Sequence, residues 1–420
     1  MDSAPTVAVH VLVFPWPRQG LINPMLHLAT ALLDAGVHVT FLHTEHNLCR
    51  IARAPPPRLR LLSIPDGLPD DHPRHYMELM ESMCTTGSAA YRALLLSSLL
   101  PAHDVPPVTC VVADGTMPFA TDIAEELGIP ALAFCTFSAC SSLAFMSMPK
   151  VFELGENPFP ADDPVCGVLG MEGILRRRDL PRGPGLCSTE QSGGGDPMIL
   201  KIGEGVAHSC KARALIINTA ASMERPALAH IASRTRDVFA VGPLHASSRS
   251  AASASLWRED DGCMAWLDGH GDRSVVYLSL GSIAVISYEQ LTKFLSGLAA
   301  TGAVGSFLTH AGWNSTLECA VEGVPMVCWP FFLDQQMNSR LVGAVWRTGL
   351  DMKDVCDRAV VERMVREAMM SGQIKAAAQA MAEQLSLDIA DGGSSSSELG
   401  RLVRFIRELS VKSGPEPRIT

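Results

Sequence analysis

Val304 to Gln335 reads VGSFLTHAGWNSTLECAVEGVPMVCWPFFLDQ, two strand-to-helix units in succession. A short apolar run from Val304 to Leu308 ends at Thr309 and His310, Gly312 follows, and Asn314 and Ser315 open a helical stretch that carries Glu318. The first turn of a helix leaves backbone N–H groups unpaired and bears the positive end of the macrodipole, so that end attracts phosphate. Gly312 lets the backbone come close, while the His310 ring and the Asn314 and Ser315 side chains can donate to phosphate oxygens. Glu318, one turn further on, is a poor neighbour for phosphate but a good bidentate acceptor for a sugar diol. A second strand, Pro325 to Cys328, leads through Pro330 to Asp334 and Gln335 at the start of the next helix, where both can meet hydroxyl groups. Neighbouring strand ends are where open α/β sheets bind ligands.

Outward from this stretch the chain alternates strand and helix. Strands are expected near Val7–Phe14, Val37–His43, Leu59–Ile64, Val108–Ala113, Ala131–Phe134, Ala214–Asn218 and Val238–Val241, with helical stretches between most of them. That alternation predicts a parallel, doubly wound sheet. Pro55 to Pro57, Pro65 to Pro73 and the Gly/Pro-rich Pro181 to Pro197 read as loops. HASSRSAASAS, from His245 to Ser255, is small, polar and aperiodic, and reads as a linker. After it come a short helix, Cys263 to Asp268, and SVVYLSLGS, Ser274 to Ser282, the first strand of the second half, with a helix expected over Tyr288 to Ala300. Ser282 at the end of that strand can donate to a phosphate. Ser395 followed by Glu398 reads as a capping box opening an amphipathic helix, Leu399 to Leu409.

Composition narrows the function. At 420 residues and 47% apolar the chain can build two α/β cores. With a net charge of −10 and no basic cluster beyond Arg176 to Arg178, which reads as a solvated face, nucleic acid is not an expected partner. No apolar run reaches the roughly 18 residues that span a bilayer, and the N-terminus lacks a basic region and cleavage site, so a cytoplasmic protein without a membrane span is expected. The 12 cysteines form no C-x-x-C pair, and Cys135, Cys140 and Cys319 sit in apolar surroundings suited to reduced thiols. No H-E-x-x-H or carboxylate cluster is present, so no metal is expected. No G-x-G-x-x-G follows the first strand, which argues against a nicotinamide-dependent oxidoreductase.

The Val304 stretch resembles the signature box of plant family-1 UDP-glycosyltransferases. The family pattern is met by Val304, Gly305, Phe307, Thr309, His310, Gly312, Trp313, Asn314, Ser315, Glu318, Gly323, Val324, Pro325, Pro330, Asp334 and Gln335. The resemblance implies that His310, Asn314 and Ser315 hold the diphosphate, with Ser282, Gly312 and Trp313 beside them. Glu318 would hold the ribose, and Asp334 with Gln335 the sugar. It further implies a GT-B fold: two facing Rossmann-like domains with parallel sheets, residues 1–244 binding the acceptor and 257–395 the UDP-sugar. Residues 245–256 would link them, and 396–420 would form a helix packing back on the N-terminal domain, and a tail. The implied reaction is inverting, metal-independent transfer from UDP-glucose or a related UDP-sugar to a small hydrophobic metabolite. No cofactor besides that co-substrate is implied, and a monomer is expected.

Two departures qualify the resemblance. The family opens its box with a Trp-x-Pro-Gln helix whose Trp stacks on uracil, whereas LSGLAATGA, Leu295 to Ala303, stands here. Judged against the usual βα unit of about thirty residues, roughly fifty residues are missing at a join between Gly302 and Val304. The C-terminal domain is therefore expected to lack about two strands, pairing either in the order 1-4-5-6 or with the Val304 strand in the vacant place. Either outcome would leave a damaged domain with exposed apolar surface. The second departure lies in VAVHVLVFPWPRQGLINPMLHLATALLDAG, Val7 to Gly36, where the family has a general-base His after Gln-Gly and this chain has Leu21. Asp114, ending the strand of VTCVVADGTMPFATDIAEELGIP, matches the Asp that orients that His, so a partner stands without its base. His27 and His43 are the substitutes to consider. A carboxylic acid acceptor, ionised at neutral pH, needs no base. The alternative reading is an impaired or inactive shortened relative.

Overall fold

The computed structural model describes residues 8–51, 58–98, 105–156, 162–183, 196–247, 256, 262–271, 275–282, 290, 306–353 and 357–412. The expected loop at Pro55 to Pro57, most of Pro181 to Pro197, the Tyr288 to Ala300 helix apart from residue 290, and the join between Gly302 and Val304 lie outside them.

Two parallel sheets organise the chain. The first holds β1 (His10–Phe14), β2 (His38–Thr44), β3 (Leu59–Ile64), β4 (Cys110–Asp114), β5 (Ala131–Cys135), β6 (Leu215–Ile217) and β7 (Val238–Ala240) in the order β3-β2-β1-β4-β5-β6-β7. Its central strands β1, β4 and β5 are buried along their whole length, as parallel strands covered on both faces must be. Order reverses between β1 and β4, and there the turn after β1 and Asp114 at the end of β4 come side by side. The helix after that turn, Gln19–Asp34, packs Ile22, Met25, Leu26, Leu28 and Leu32 onto the sheet. It stops at Gly36, whose φ of 81° accommodates the closing bonds Gly36 N–H to the Leu33 carbonyl and Val37 N–H to the Leu32 carbonyl.

The second sheet holds β8 (Val276–Ser279), β9 (Ser306–Thr309), β10 (Met326–Cys328) and β11 (Gly349–Asp351) in the order β11-β10-β9-β8. This is the 1-4-5-6 order: β9 pairs directly with β8 on one side and β10 on the other, all parallel. Among the described residues β8 has a neighbour on one side only. On it Tyr277 is 65% exposed, and in the preceding helix Trp266 is 57% exposed. The helix Cys263–Asp268 has no buried residue.

The last helix, Ser394–Lys412, crosses back to the first sheet, where Leu402, Val403 and Ile406 join its core and Phe405 meets Phe239 at 5.3 Å. The helix begins at Ser394, so Ser395 is not its cap. Instead the Ser395 hydroxyl donates to the Gly242 carbonyl at 2.6 Å, and Glu398 pairs with Arg401 at 2.8 Å. Of the expected linker, His245 to Ser247 are helical within Leu244–Ser247, and Leu256 packs on the first core.

The arginine triplet is not a solvated face. Asp179, fully buried, accepts from Arg176 Nε at 2.9 Å and from Lys353 Nζ at 2.7 Å, with Arg340 Nε at 3.5 Å. Lys353 and Arg340 belong to the second half of the chain, so one carboxylate ties the halves together. Burial pushes the Asp179 carboxyl up, but Arg176 and Lys353 outweigh it and hold it below its ordinary value. Replacing Asp179 with Ala would leave three cations facing one another around a buried gap. We expect a loss of about 3–5 kcal/mol, read by urea unfolding. A change below about 0.5 kcal/mol would show that the cluster does not hold the halves.

Candidate active site

The carboxyl ends of both sheets open onto one cleft of about 750 Å³ between the halves of the chain. Ser282, His310, Gly312, Trp313, Asn314, Ser315, Glu318, Asp334 and Gln335, the nine residues singled out in the C-terminal half, all line it. Facing them are Gln19, Gly20 and Leu21 from the turn after β1, with Thr136 and Phe137 from the end of β5. Asp114 is not among the lining residues.

Each wall is fixed by local chemistry. After β9 the chain passes through Ala311, held at a φ of 62° by bonds from both sides: its N–H donates to Thr309 Oγ1 at 3.1 Å and its carbonyl accepts from Asn338 Nδ2 at 2.9 Å. Gly312 then caps the helix Trp313–Glu322, whose first-turn N–H groups point into the cleft end. The His310 ring lies between two glycines. A Cβ on Gly281 would come within 2.6 Å of His310 Nε2, and one on Gly312 within 2.4 Å. Gly281 also has a φ of 76°, so it is glycine for two reasons, neither evident when it is read as a simple strand end. Burial lowers the His310 pKa to about 4, partly offset by the nearby Ser279 backbone, so the ring is neutral at physiological pH.

Two side chains of this helix also bridge the halves. Asn314 Nδ2 donates to the Gly20 carbonyl at 2.7 Å, next to Leu21, and its second N–H remains available. Trp313 Nε1 donates to the Asn218 carbonyl at 2.8 Å, so the indole N–H is committed to the interface. Glu318 is exposed to the cleft, whose walls desolvate its carboxylate and raise its pKa. On the next unit Gln335 Oε1 accepts from the N–H of Phe331 at 2.8 Å and of Phe332 at 3.2 Å, fixing the loop before it. Asp334 is buried, accepts from Asn338 Nδ2 at 2.8 Å, and has its pKa pushed up to about 6 by desolvation.

Asp114 sits behind the opposite wall. Burial pushes its pKa up to about 6 against hydrogen bonds from Thr116, N–H at 2.9 Å and hydroxyl at 2.6 Å, and from Thr136 at 3.5 Å. Thr136 lines the cleft where Asp114 does not, so Asp114 has no direct access to an acceptor. Neither substitute histidine lines the cleft. His27 lies 6.5 Å from His245, ring to ring, and His43 is buried against Phe41. Neither His43 nitrogen has a hydrogen-bond partner, and burial lowers its pKa to about 4. Among the described residues no group of three or more His, Cys, Asp or Glu could hold a metal ion. No described helix is long and apolar enough to cross a membrane.

Facing Rossmann-like domains with a cleft between their strand ends define the GT-B architecture. Residues 297–370 match the model of the UDP-glucoronosyl and UDP-glucosyl transferase family. The chain is 39% identical to a myricetin 3-O-rhamnoside 1,2-glucosyltransferase of Crocosmia x crocosmiiflora, covering 96% of each protein. It is 36% identical to a 7-deoxyloganetic acid glucosyltransferase of Catharanthus roseus, covering 96% of this chain and 98% of that one. In fold it is similar to Os79 of O. sativa in complex with UDP, with a TM-score of 0.77 at 23% identity, covering 96% of this chain and all of that one. This chain belongs to the plant family-1 UDP-glycosyltransferases. The first alignment runs over 466 residues, longer than the 420-residue chain, so this relative carries residues without a counterpart here.

His43 gives the fold an acid sensitivity of known sign. The unfolded chain takes up the proton near pH 6.5 and the folded one only near 4, so stability is full above 6.5 and falls as pH drops towards 4. At this site the loss amounts to about 3 kcal/mol. His43→Phe should therefore move the acid-unfolding midpoint, followed by far-UV circular dichroism, to lower pH. An unchanged midpoint would mean that the ring is solvated in the folded state.

Proposed function

We propose that the cleft binds a UDP-sugar, UDP-glucose in the first instance, and transfers its sugar to a small hydrophobic acceptor with inversion. One observation carries this reading: all nine residues of the donor pattern line one cavity, with His310 seated between Gly281 and Gly312 at a helix N-terminus. The first-turn N–H groups, Ser282, Asn314 and Ser315 hold the diphosphate and stabilise it as it leaves, with the helix N-terminus in the part a metal plays elsewhere. Glu318 accepts from the ribose hydroxyls and Asp334 from those of the sugar, to which the Gln335 amide N–H groups donate. The acceptor oxygen attacks the anomeric carbon from the Leu21 side as the carbon–oxygen bond to the diphosphate breaks. A single in-line displacement of this kind inverts the centre and needs no protein nucleophile.

Position 21 decides which acceptors react. A neutral alcohol must lose a proton as it attacks, and leucine cannot take it. A carboxylate has none to lose and forms a sugar ester directly. The favoured acceptor class is therefore aromatic or other apolar carboxylic acids. The domains proposed are residues 1–244 for the acceptor, 245–256 as linker, 257–395 for the donor and 396–420 as the returning helix and tail. The protein is taken to be a cytosolic monomer. A second reading, an impaired shortened member of the family, is favoured by the exposed side chains of Tyr277 and Trp266 and by the longer relative. It places the missing residues between Gly302 and Val304.

UDP titration by calorimetry, followed by product analysis with matched aromatic acids and phenols, separates these readings. Binding of UDP with transfer to acids above phenols is expected. Leu21→His should raise phenol transfer about 100- to 10,000-fold, and adding Asp114→Asn should remove most of that gain. Equal phenol and acid turnover by the unaltered chain would overturn the acceptor assignment, and absence of UDP binding would leave only the impaired reading.

Asp334 adds a pH test. Its carboxyl, with a pKa of about 6, accepts sugar hydroxyls when ionised, so the preference for UDP-glucose over UDP should be full at pH 7.5 and decline as pH falls through 6. The same preference at pH 5 and 7.5 would remove Asp334 from the sugar site.

A further inference from the structure

Tyr277 is 65% exposed, yet it lies in β8, the first strand of the donor sheet, and lines the cleft together with Gly281 and Glu318. Its partner in the β8–β9 register is Phe307, and the two rings stack at 4.8 Å with their planes 19° apart. Paired residues on adjacent strands share a face of the sheet. Phe307 identifies which face, because it is buried among Ala311 and Cys319 beneath the helix Trp313–Glu322. Tyr277 therefore stands on the helix side of the sheet, one strand outward from the ring that anchors it, and its open surface belongs to the cleft. A tyrosine serving the core would be buried. One held flat by a buried ring and left open on its other side is a preorganised π surface, stiff at little entropic cost.

The position is specific as well as open. Glu318 lines the same cavity as Tyr277, on the helix whose Cys319 shares a buried cluster with Phe307. A nucleotide whose diphosphate meets the Trp313 helix and whose ribose meets Glu318 must direct its base away from the sugar-binding residues Asp334 and Gln335. β8 is the strand farthest from them in the sheet order.

We infer that the exposed face of Tyr277, backed by Phe307, is the surface on which the planar base of the donor nucleotide stacks, in a chain whose sequence holds no tryptophan at the expected place. The inference rests on the proposed donor reading. It makes Tyr277 a determinant of binding for nucleoside diphosphates as opposed to bare diphosphate.

The test compares UDP with inorganic pyrophosphate by calorimetry on the full chain and on Tyr277→Ala and Tyr277→Phe. The unaltered chain should bind UDP the more tightly. Tyr277→Ala should lose about ten- to hundred-fold in UDP affinity while its pyrophosphate affinity stays within about two-fold, and Tyr277→Phe, which keeps the π face, should retain UDP affinity within about three-fold. An alanine variant that binds UDP as well as the unaltered chain overturns the stacking role and leaves the donor reading standing. An equal loss for UDP and pyrophosphate also overturns it, since the residue would then act through the fold. If the unaltered chain binds pyrophosphate but gains nothing from the nucleoside, both the stacking role and the donor reading fall.

Discussion

The cleft exists because buried polar groups hold the two sheets end to end. The Trp313 indole N–H reaches the Asn218 carbonyl, Asn338 bonds both the Ala311 carbonyl and the Asp334 carboxyl while accepting from Ser141, and Asp179 gathers Arg176, Arg340 and Lys353. In a low-dielectric seam each such group is strongly bound when paired and expensive when orphaned, so the arrangement permits few alternative dockings. The register it imposes is what brings Gly20 and Leu21 opposite Asn314. Without it the phosphate-binding turn and the acceptor side would be two unrelated surface features.

The donor side was legible because its chemistry is local. Strand, glycine, helix N-terminus and the carboxylate one turn on are fixed by short-range spacing, and the residues read from that spacing line one cavity, together with Ser282 and Trp313, which the family resemblance supplied. The strand alternation likewise marked the seven strands of the first sheet and three of the second, most ends to within a residue or two, while β11 was not read. Features that depend on distant partners were not legible. Arg176 to Arg178 read as solvated because Lys353 and Arg340 lie more than 160 residues away in sequence, and Ser395 read as a cap because nothing local reveals the Gly242 carbonyl that it meets. Tyr277 belongs to the same class. Its strand was evident, but whether a strand residue is covered depends on what lies beside it in the sheet.

Desolvation sets the charges around the cavity. His310 is neutral, Asp114 and Asp334 are held near pH 6, and the Glu318 carboxyl is raised as well. Under the proposed donor reading, a diphosphate in this space would meet oriented dipoles, namely helix N–H groups, amides and hydroxyls, more than formal positive charge. Such groups need little reorganisation when negative charge builds on the departing oxygen. Asp114 stands apart: a buried carboxyl bonded by Thr116 and Thr136, set behind the wall of the cleft rather than on it.

β8 has a further consequence. Among the described residues its outer side has no neighbour, and Val276, Tyr277, Leu278 and Ser279 include no lysine, proline or acid of the kind that usually blunts a sheet margin. A margin of that composition has nothing of its own to oppose a further strand laid beside it. At four residues, it is the length of β8 that limits how much added backbone such a margin can hold.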